Sequence, residues 1–109
     1  MTLTAQDRAI LDTRIRGLVT AELMERARAN PNPPYPADIV EVLDFVRRNP
    51  DPDLPRYAIV ELSDGFAIAE RPRTAGKPPR VVSRDRHPDR DAAEHAVLVH
   101  RLRDYGLSW

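Results

Sequence analysis

The stretch RYAIVELSDGFAIAE, residues 56–70, decides the fold of this chain. Its first half includes the β-branched residues Ile59 and Val60, a composition typical of a strand. Asp64-Gly65 is the strongest hairpin signal in the sequence, because glycine adopts the backbone conformations that tight turns require. The stretch therefore predicts an antiparallel hairpin with strands at Arg56–Leu62 and Phe66–Glu70.

The residues after the hairpin predict a short third strand and a closing helix. Arg80–Ser83 has the composition of a short strand. Residues from about Asp89 to Tyr105 carry apolar side chains at helical spacing, and Gly106 ends that helix. Either Asp91 or Asp89 caps its first turn.

The residues before the hairpin predict two helices, from about Ala5 to Ala29 and from about Ala37 to Arg48, again from apolar spacing. Thr4 is the predicted N-cap of the first helix. Between the helices, Asn30–Pro36 contains four prolines and should form an extended, polyproline-like connector. Residues 1–36 then either act as an arm that grips a partner chain or fold back on the core; the periodicity leaves both open.

The length of 109 residues predicts a single small domain spanning residues 1–109. The fold class is α+β: two N-terminal helices, a β-hairpin or small three-stranded antiparallel sheet, and a C-terminal helix. Apolar residues make up 41% of the chain, enough for one modest core.

The composition excludes several classes of function. The 17 basic residues balance the 17 acidic residues, and there is no cysteine. Disulfide frameworks, thiolate zinc sites, iron–sulfur clusters and cysteine nucleophiles are therefore excluded. The N-terminus lacks the apolar core of a signal peptide, and no apolar run reaches the roughly 20 residues of a membrane span. We expect a cytoplasmic protein without a membrane partner.

The sequence offers little that could perform chemistry. His95 and His100 lie about 140° apart around a helix, so they cannot share a metal ion. No serine lies in a nucleophile elbow, and no glycine-rich phosphate loop is present. Glu61 and Glu70 lie on paired strands and could face each other as an acid–base pair, although we expect them to be solvated or paired with Arg56 or Arg71. We expect no catalytic residue and no metal ligand in this chain.

Charge concentrates in one segment. Seven basic residues lie between Arg71 and Arg90, opposed only by Asp85 and Asp89. The segment could contact a phosphate backbone, dock on an acidic partner subunit, or form a solvated loop. Tyrosine, tryptophan and arginine commonly anchor interfaces. The candidate partner-binding residues are Tyr35, Arg73, Arg80, Arg84, Arg86 and Trp109.

A family resemblance adds a hypothesis. It rests on Pro34-Tyr35 ahead of a helix ending near Arg48, on RYAIV at 56–60, on FAIA at 66–69, and on DAAEHAV at 91–97 leading to Arg101. This pattern, covering about residues 34–103, resembles the small (alpha) subunit of N,N-dimethylformamidase. In that family a short chain accompanies a large catalytic chain that carries an iron site and hydrolyses the amide. The resemblance implies that the metal ligands belong to the large chain, so it assigns no catalytic residue here.

We therefore expect a non-catalytic small subunit of a heteromeric bacterial amide hydrolase, which stabilises or completes a larger catalytic subunit. No cofactor is expected in this chain, and iron is expected in the large partner. One alternative is a stand-alone α+β binding module that uses the basic segment 71–90 to bind nucleic acid or protein, although nucleic acid is the less favoured partner. The other alternative is a small homodimer.

Overall fold

A computed structural model describes residues 4–30, 33–48, 55–72, 74 and 76–109. These residues form four helices and one three-stranded antiparallel sheet, which confirms the α+β prediction. The chain divides into two compact units: unit 1 comprises residues 1–54 and 101–109, and unit 2 comprises residues 55–100. That residues 1–109 act as one domain stays a prediction.

The first helix of unit 1, α1, is continuous but changes its winding. It consists of α-helical Ala5–Ile10, π-helical Leu11–Ile15 and α-helical Arg16–Leu18. Thr4 is its N-cap, as predicted, and accepts a hydrogen bond from the Asp7 amide at 3.1 Å. In the π-helical turn the Arg16 N–H bonds the carbonyl of Leu11, five residues earlier.

The prediction of one helix over residues 5–29 is wrong, because the chain is extended at Val19 and Thr20. A second helix, α2, then starts at Ala21 and runs Ala21–Ala29. The Thr20 hydroxyl caps it by accepting the Leu23 N–H at 3.1 Å. Threonine is a preferred N-cap, and β-branched residues are stiff in helices, so the Val19-Thr20 pair favours a break.

Helix α3 spans Ala37–Arg48, as predicted. Its buried residues lie in unit 1 with those of α1 and α2, including Leu11 and Ile15, which are almost fully buried. An ion pair of 2.8 Å joins Arg14 Nε of α1 to Glu41 of α3. The apolar stripe of residues 5–29 is therefore buried without the help of a second chain. The role of residues 1–36 as an arm stays a prediction. The Asn30–Pro36 connector falls partly outside the described residues, at Pro31 and Asn32.

Unit 2 is built on the predicted hairpin. Strands β1 (Tyr57–Leu62) and β2 (Gly65–Glu70) pair with Ile59 opposite Ile68. Strand β3 (Arg80–Val81) adds antiparallel to β2 and is two residues shorter than predicted. The strand order is β1-β2-β3.

The closing helix, α4, spans Arg90–Asp104. Asp89 caps it by accepting the Ala92 N–H at 2.8 Å, which selects Asp89 over Asp91 as the cap. Within unit 2, Ala93 and Val97 of this helix are buried against the sheet. They form one apolar cluster with Ile68, Tyr57, Ile59, Phe66 and Ala96.

Candidate partner interface

The turn that ends α4 positions Trp109 in unit 1. Gly106 has a φ of +85°, which glycine adopts without the strain that a Cβ introduces. Its N–H donates to the Arg103 carbonyl at 2.9 Å, and the Leu107 N–H donates to the Leu102 carbonyl at 3.1 Å. This is the Schellman arrangement that reverses the chain after a helix. The predicted helix end at Gly106 is thereby confirmed.

The reversed chain brings the Trp109 ring under a cation. The Arg103 guanidinium carbon lies 5.3 Å from the ring centroid. A cation–π contact at an exposed site stabilises by about 0.5–1 kcal/mol, so it orients a ring that is still 37% exposed. Tryptophan and arginine are both enriched among the residues that anchor interfaces. Trp109 was a candidate from the sequence, but Arg103 was not. The two residues are six positions apart, and that spacing gives no helical signal that would pair them.

A second contact fixes the same turn. Arg16 of α1 donates from Nη1 to the Gly106 carbonyl at 3.0 Å and from Nη2 to Asp12 at 3.1 Å. A charged donor on the carbonyl of a turn residue just beyond the helix gives that group a strong hydrogen-bond partner. The backbone that carries Trp109 is therefore held from two sides within unit 1.

Tyr35 lies in the connector between α2 and α3 and is half-buried. The two helices are joined across that connector by a forked ion pair. Arg26 donates from Nη2 to Asp38 Oδ2 at 2.6 Å and from Nη1 to Oδ1 at 3.3 Å. These hydrogen bonds lower the pKa of the Asp38 carboxyl below its ordinary value of 3.8, helped by the Ile39 amide.

The same contact raises the pKa of Arg26, chiefly through the hydrogen bonds to Asp38. A bidentate pair fixes orientation as well as distance. Sequence analysis missed the Arg26–Asp38 pair because its members belong to different helices, separated by a connector without periodicity.

The arginines of the basic segment in unit 2 have different environments. Arg80 is 80% exposed and lies 3.4 Å from Glu70 on the neighbouring strand. Arg84 is exposed and has no hydrogen bond or ion pair in the described part of the chain. Arg73 was also a candidate, but it lies outside the described residues.

Arg86 acts as a structural clamp. Its Nε donates to Asp64 in the hairpin turn at 3.0 Å, and its Nη1 donates to the carbonyls of Ser83 and Asp85. Its side chain is 29% exposed. The hydrogen bonds of Arg86 therefore fasten the basic loop to the turn.

The backbone supports the same attachment. Phe66 and His87 exchange hydrogen bonds, N–H to carbonyl, at 3.0 and 2.8 Å. A Cβ built on Gly65 would lie 2.9 Å from the His87 carbonyl oxygen. Because Gly65 also has a φ of +135°, the turn depends on glycine for both conformation and space.

The suggestion that Glu61 and Glu70 face each other is wrong. Glu61 lies opposite Phe66, and Glu70 lies opposite Tyr57, at the two ends of the hairpin. Glu70 is instead within 3.4 Å of Arg80. The described residues contain no group of three or more side chains arranged to hold a metal ion. His100 stacks on Tyr57, with 5.1 Å between ring centroids.

Nearly the whole chain matches the model of a known protein family. The family model of the N,N-dimethylformamidase alpha subunit matches residues 1–108. The chain belongs to the N,N-dimethylformamidase alpha subunit family. The resemblance found in the sequence is thereby confirmed, and it extends over the N-terminal helices as well. No curated protein and no solved structure matches the chain.

Membership of the N,N-dimethylformamidase alpha subunit family carries two consequences. A subunit family implies a partner chain, and the family name places the assembly among hydrolase complexes.

Among the described residues, none of the helices has the length and apolar character needed to cross a bilayer. The candidate contacts divide between the units: Tyr35 and Trp109 belong to unit 1, and Arg80, Arg84 and Arg86 belong to unit 2.

Proposed function

We propose that this chain is the non-catalytic small subunit of a bacterial amide hydrolase. It stabilises or completes a larger chain that carries the catalytic residues and an iron site, in the cytoplasm. The observation that carries the proposal is the match of the alpha subunit family model to residues 1–108. The substrate class follows from the family name, an N,N-dialkylated formamide.

The use of the carboxylates supports a non-catalytic role. Glu70 pairs with Arg80, and Asp38 is held by Arg26 in a contact that keeps its carboxylate ionised. A general acid at neutral pH needs a raised carboxyl pKa, which is the opposite of the shift at Asp38. These carboxylates serve the packing of helices and strands.

The exposed anchors support a partner-binding role. Trp109 is oriented by Arg103 and by a turn that Arg16 holds, and it keeps an exposed ring. Pre-oriented aromatic side chains bind with a smaller loss of conformational entropy than mobile ones. We assign two side chains, Trp109 and Arg84, to contact with the large chain.

Nucleic-acid binding through residues 71–90 receives less support. Three of its arginines, Arg80, Arg86 and Arg90, lie against carboxylates of unit 2. Each such pair lowers the net charge available to phosphates. Binding to nucleic acid across a salt series tests the alternative, because phosphate contacts give a steep salt dependence.

The native mass of the tagged protein, recovered from its own host, tests the proposal. We expect a stoichiometric complex with a much larger chain, iron in that chain and amide hydrolysis by the complex. A monomer or homodimer without a second chain would contradict the subunit role. Turnover by the isolated small chain would contradict its non-catalytic role.

Variants sharpen the interface assignment. Trp109→Ala should weaken the complex, whereas Trp109→Phe, which keeps an aromatic ring, should weaken it less. Arg84→Ala should also weaken it, whereas Arg8→Ala removes an exposed arginine of α1 and should leave affinity unchanged. Equal losses for Arg84→Ala and Arg8→Ala would indicate a general charge effect.

A further inference from the structure

The hydrogen-bond pattern of the sheet shows which backbone groups of β1 point away from it. Phe66 exchanges hydrogen bonds with His87, and the Ile68 carbonyl accepts the Val82 N–H at 3.1 Å. Phe66 and Ile68 therefore point their backbone groups away from β1. Their register partners in β1 are Glu61 and Ile59. In an antiparallel pair, the residues that do not bond each other turn their N–H and C=O outward.

The outer edge of β1 therefore presents the N–H and C=O groups of Ile59 and Glu61. Within the described part of the chain, no strand lies on that side of β1. Glu61 is exposed, and Ile59 is half-buried. An edge of this kind is a template for pairing with another extended chain.

The opposite edge of the sheet, formed by β3, is protected. β3 has only two residues and follows Pro78-Pro79. Short edge strands, prolines and nearby charges are the devices by which proteins block edge pairing. β1 has six residues, of which Glu61 alone is charged. Within the described residues, one edge of this sheet is thus blocked and the other has no strand beside it.

We propose that the outer edge of β1 binds an extended segment of the large partner chain, which adds a fourth strand to the sheet. This inference rests on the proposed function, because that function supplies the second chain. Main-chain hydrogen bonds provide affinity in such strand addition, and alternate side chains provide specificity.

The charges at the two ends of the edge define the segment that fits. Arg56 and Arg71 are exposed at one end, where the Arg71 N–H bonds the Arg56 carbonyl at 2.7 Å. Glu61 is exposed near the other end. The complementary strand therefore carries an acidic residue near Arg56, apolar residues in the middle and a basic residue near Glu61.

A second copy of β1 fits this edge less well. Two antiparallel strands place residues with outward backbone groups opposite each other. Glu61 and Ile59 are outward, whereas the Arg56 carbonyl bonds Arg71 within the hairpin. Arg56 of one copy can therefore never lie directly opposite Glu61 of another. Self-pairing leaves both end charges unmatched, so we assign the edge to a different chain.

The test uses a proline that removes one outward N–H. Glu61→Pro deletes a donor that β2 does not use, and proline is tolerated on edge strands where the N–H faces solvent. Glu61→Ala removes the same carboxylate but keeps the N–H. Val81→Pro is the matched control on β3, since Val82 bonds β2 and Val81 therefore points its N–H outward. The probe is the large chain recovered with the tagged wild-type protein and then purified away from it.

We expect Glu61→Pro to raise the Kd for the large chain about five- to hundredfold. The variant lacks the N–H at position 61, and the carbonyl of the added strand that would accept it is left without a hydrogen bond. Glu61→Ala should raise it less, and Val81→Pro should bind like wild type. Hydrogen–deuterium exchange on the wild-type complex gives a readout that does not depend on the variants folding. The amides of Ile59 and Glu61 should exchange more slowly in the complex than in the isolated chain.

Three results would overturn the inference alone: equal affinity of Glu61→Pro and wild type, equal losses for Glu61→Pro and Val81→Pro, or unchanged exchange at Ile59 and Glu61 in the complex. Protection of those amides that grows with the concentration of the isolated chain would assign the edge to a second copy, and would also overturn it. Failure of the wild type to recover any large chain would instead contradict the proposed function.

Discussion

Gly65→Ala should destabilise the protein by about 2–4 kcal/mol. A φ of +135° is a conformation that alanine rarely adopts, and such strain costs about 1–3 kcal/mol. The added Cβ would also lie 2.9 Å from the His87 carbonyl oxygen. To relieve that contact the carbonyl must move, which weakens the pair of hydrogen bonds between Phe66 and His87. Each such bond contributes about 0.5–1.5 kcal/mol.

Urea unfolding followed by circular dichroism measures this loss. Gly106→Ala is the matched control, because Gly106 also has a positive φ but a Cβ there meets nothing within 4 Å. We expect the loss at Gly65 to exceed the loss at Gly106, and the excess to report the contact with His87 together with the larger φ of Gly65. A Gly65→Ala variant no less stable than Gly106→Ala would refute the argument from close approach.

Other predictions follow from helix composition and ion pairing. Gly17→Ala should raise the free energy of unfolding by about 0.5–1 kcal/mol in urea melts, because a Cβ at this helical site meets nothing within 4 Å. A double-mutant cycle of Arg86→Ala and Asp64→Ala should give a coupling of about 0.2–1 kcal/mol; zero coupling would deny the clamp. The lowered pKa of Asp38 means that its pair with Arg26 stabilises the protein above the ordinary carboxyl pKa of 3.8, and that this contribution is lost as the pH falls through the lower folded-state value. The stability advantage of wild type over Asp38→Asn should therefore shrink as the pH falls through 3.8 and below in urea melts; an advantage that is constant with pH would contradict the ionised pair.

The elements predicted well from sequence are those whose signals are local. The hairpin was located within a residue because the turn signal at Asp64-Gly65 agrees with the strand-like composition on its two sides. Helix α3 was predicted with its observed bounds, since the proline-rich connector before it and the arginines at its end mark both termini. Thr4 and Gly106 act at the helix ends where their residue types predict.

The errors arose where a local signal competed with a longer pattern. Apolar spacing continues through Val19 and Thr20, so periodicity extended one helix across a break that the Thr20 cap defines. Strand β3 ends early for a related reason. Val82 still donates its N–H to Ile68 of β2, but the pairing of residues with β2 stops at Val81, and that pairing is a tertiary property.

The candidate interface was less predictable than the fold because side-chain identity does not show whether a group is already engaged. Arg84 and Arg86 are equivalent on the sequence, yet Arg86 is held by Asp64 and two carbonyls, while Arg84 has no described partner. The position of Arg26 in a helix likewise does not show that its guanidinium forms a forked pair with Asp38.

Ion pairs that are already formed within the chain change where a partner contact should be sought. A charge count over residues 71–90 treats every arginine as available, but an ion pair that is already formed must be broken before a new partner gains from it. Backbone groups on an open strand edge carry no such cost, because only water competes for them. The outer edge of β1 and the exposed ring of Trp109 thus have more to gain from a second chain than the clamped arginines. Glu61→Pro and Trp109→Ala should each lower the affinity for the large chain, and only the part of that affinity contributed by exposed charges such as Arg84 and Glu61 should fall with added salt.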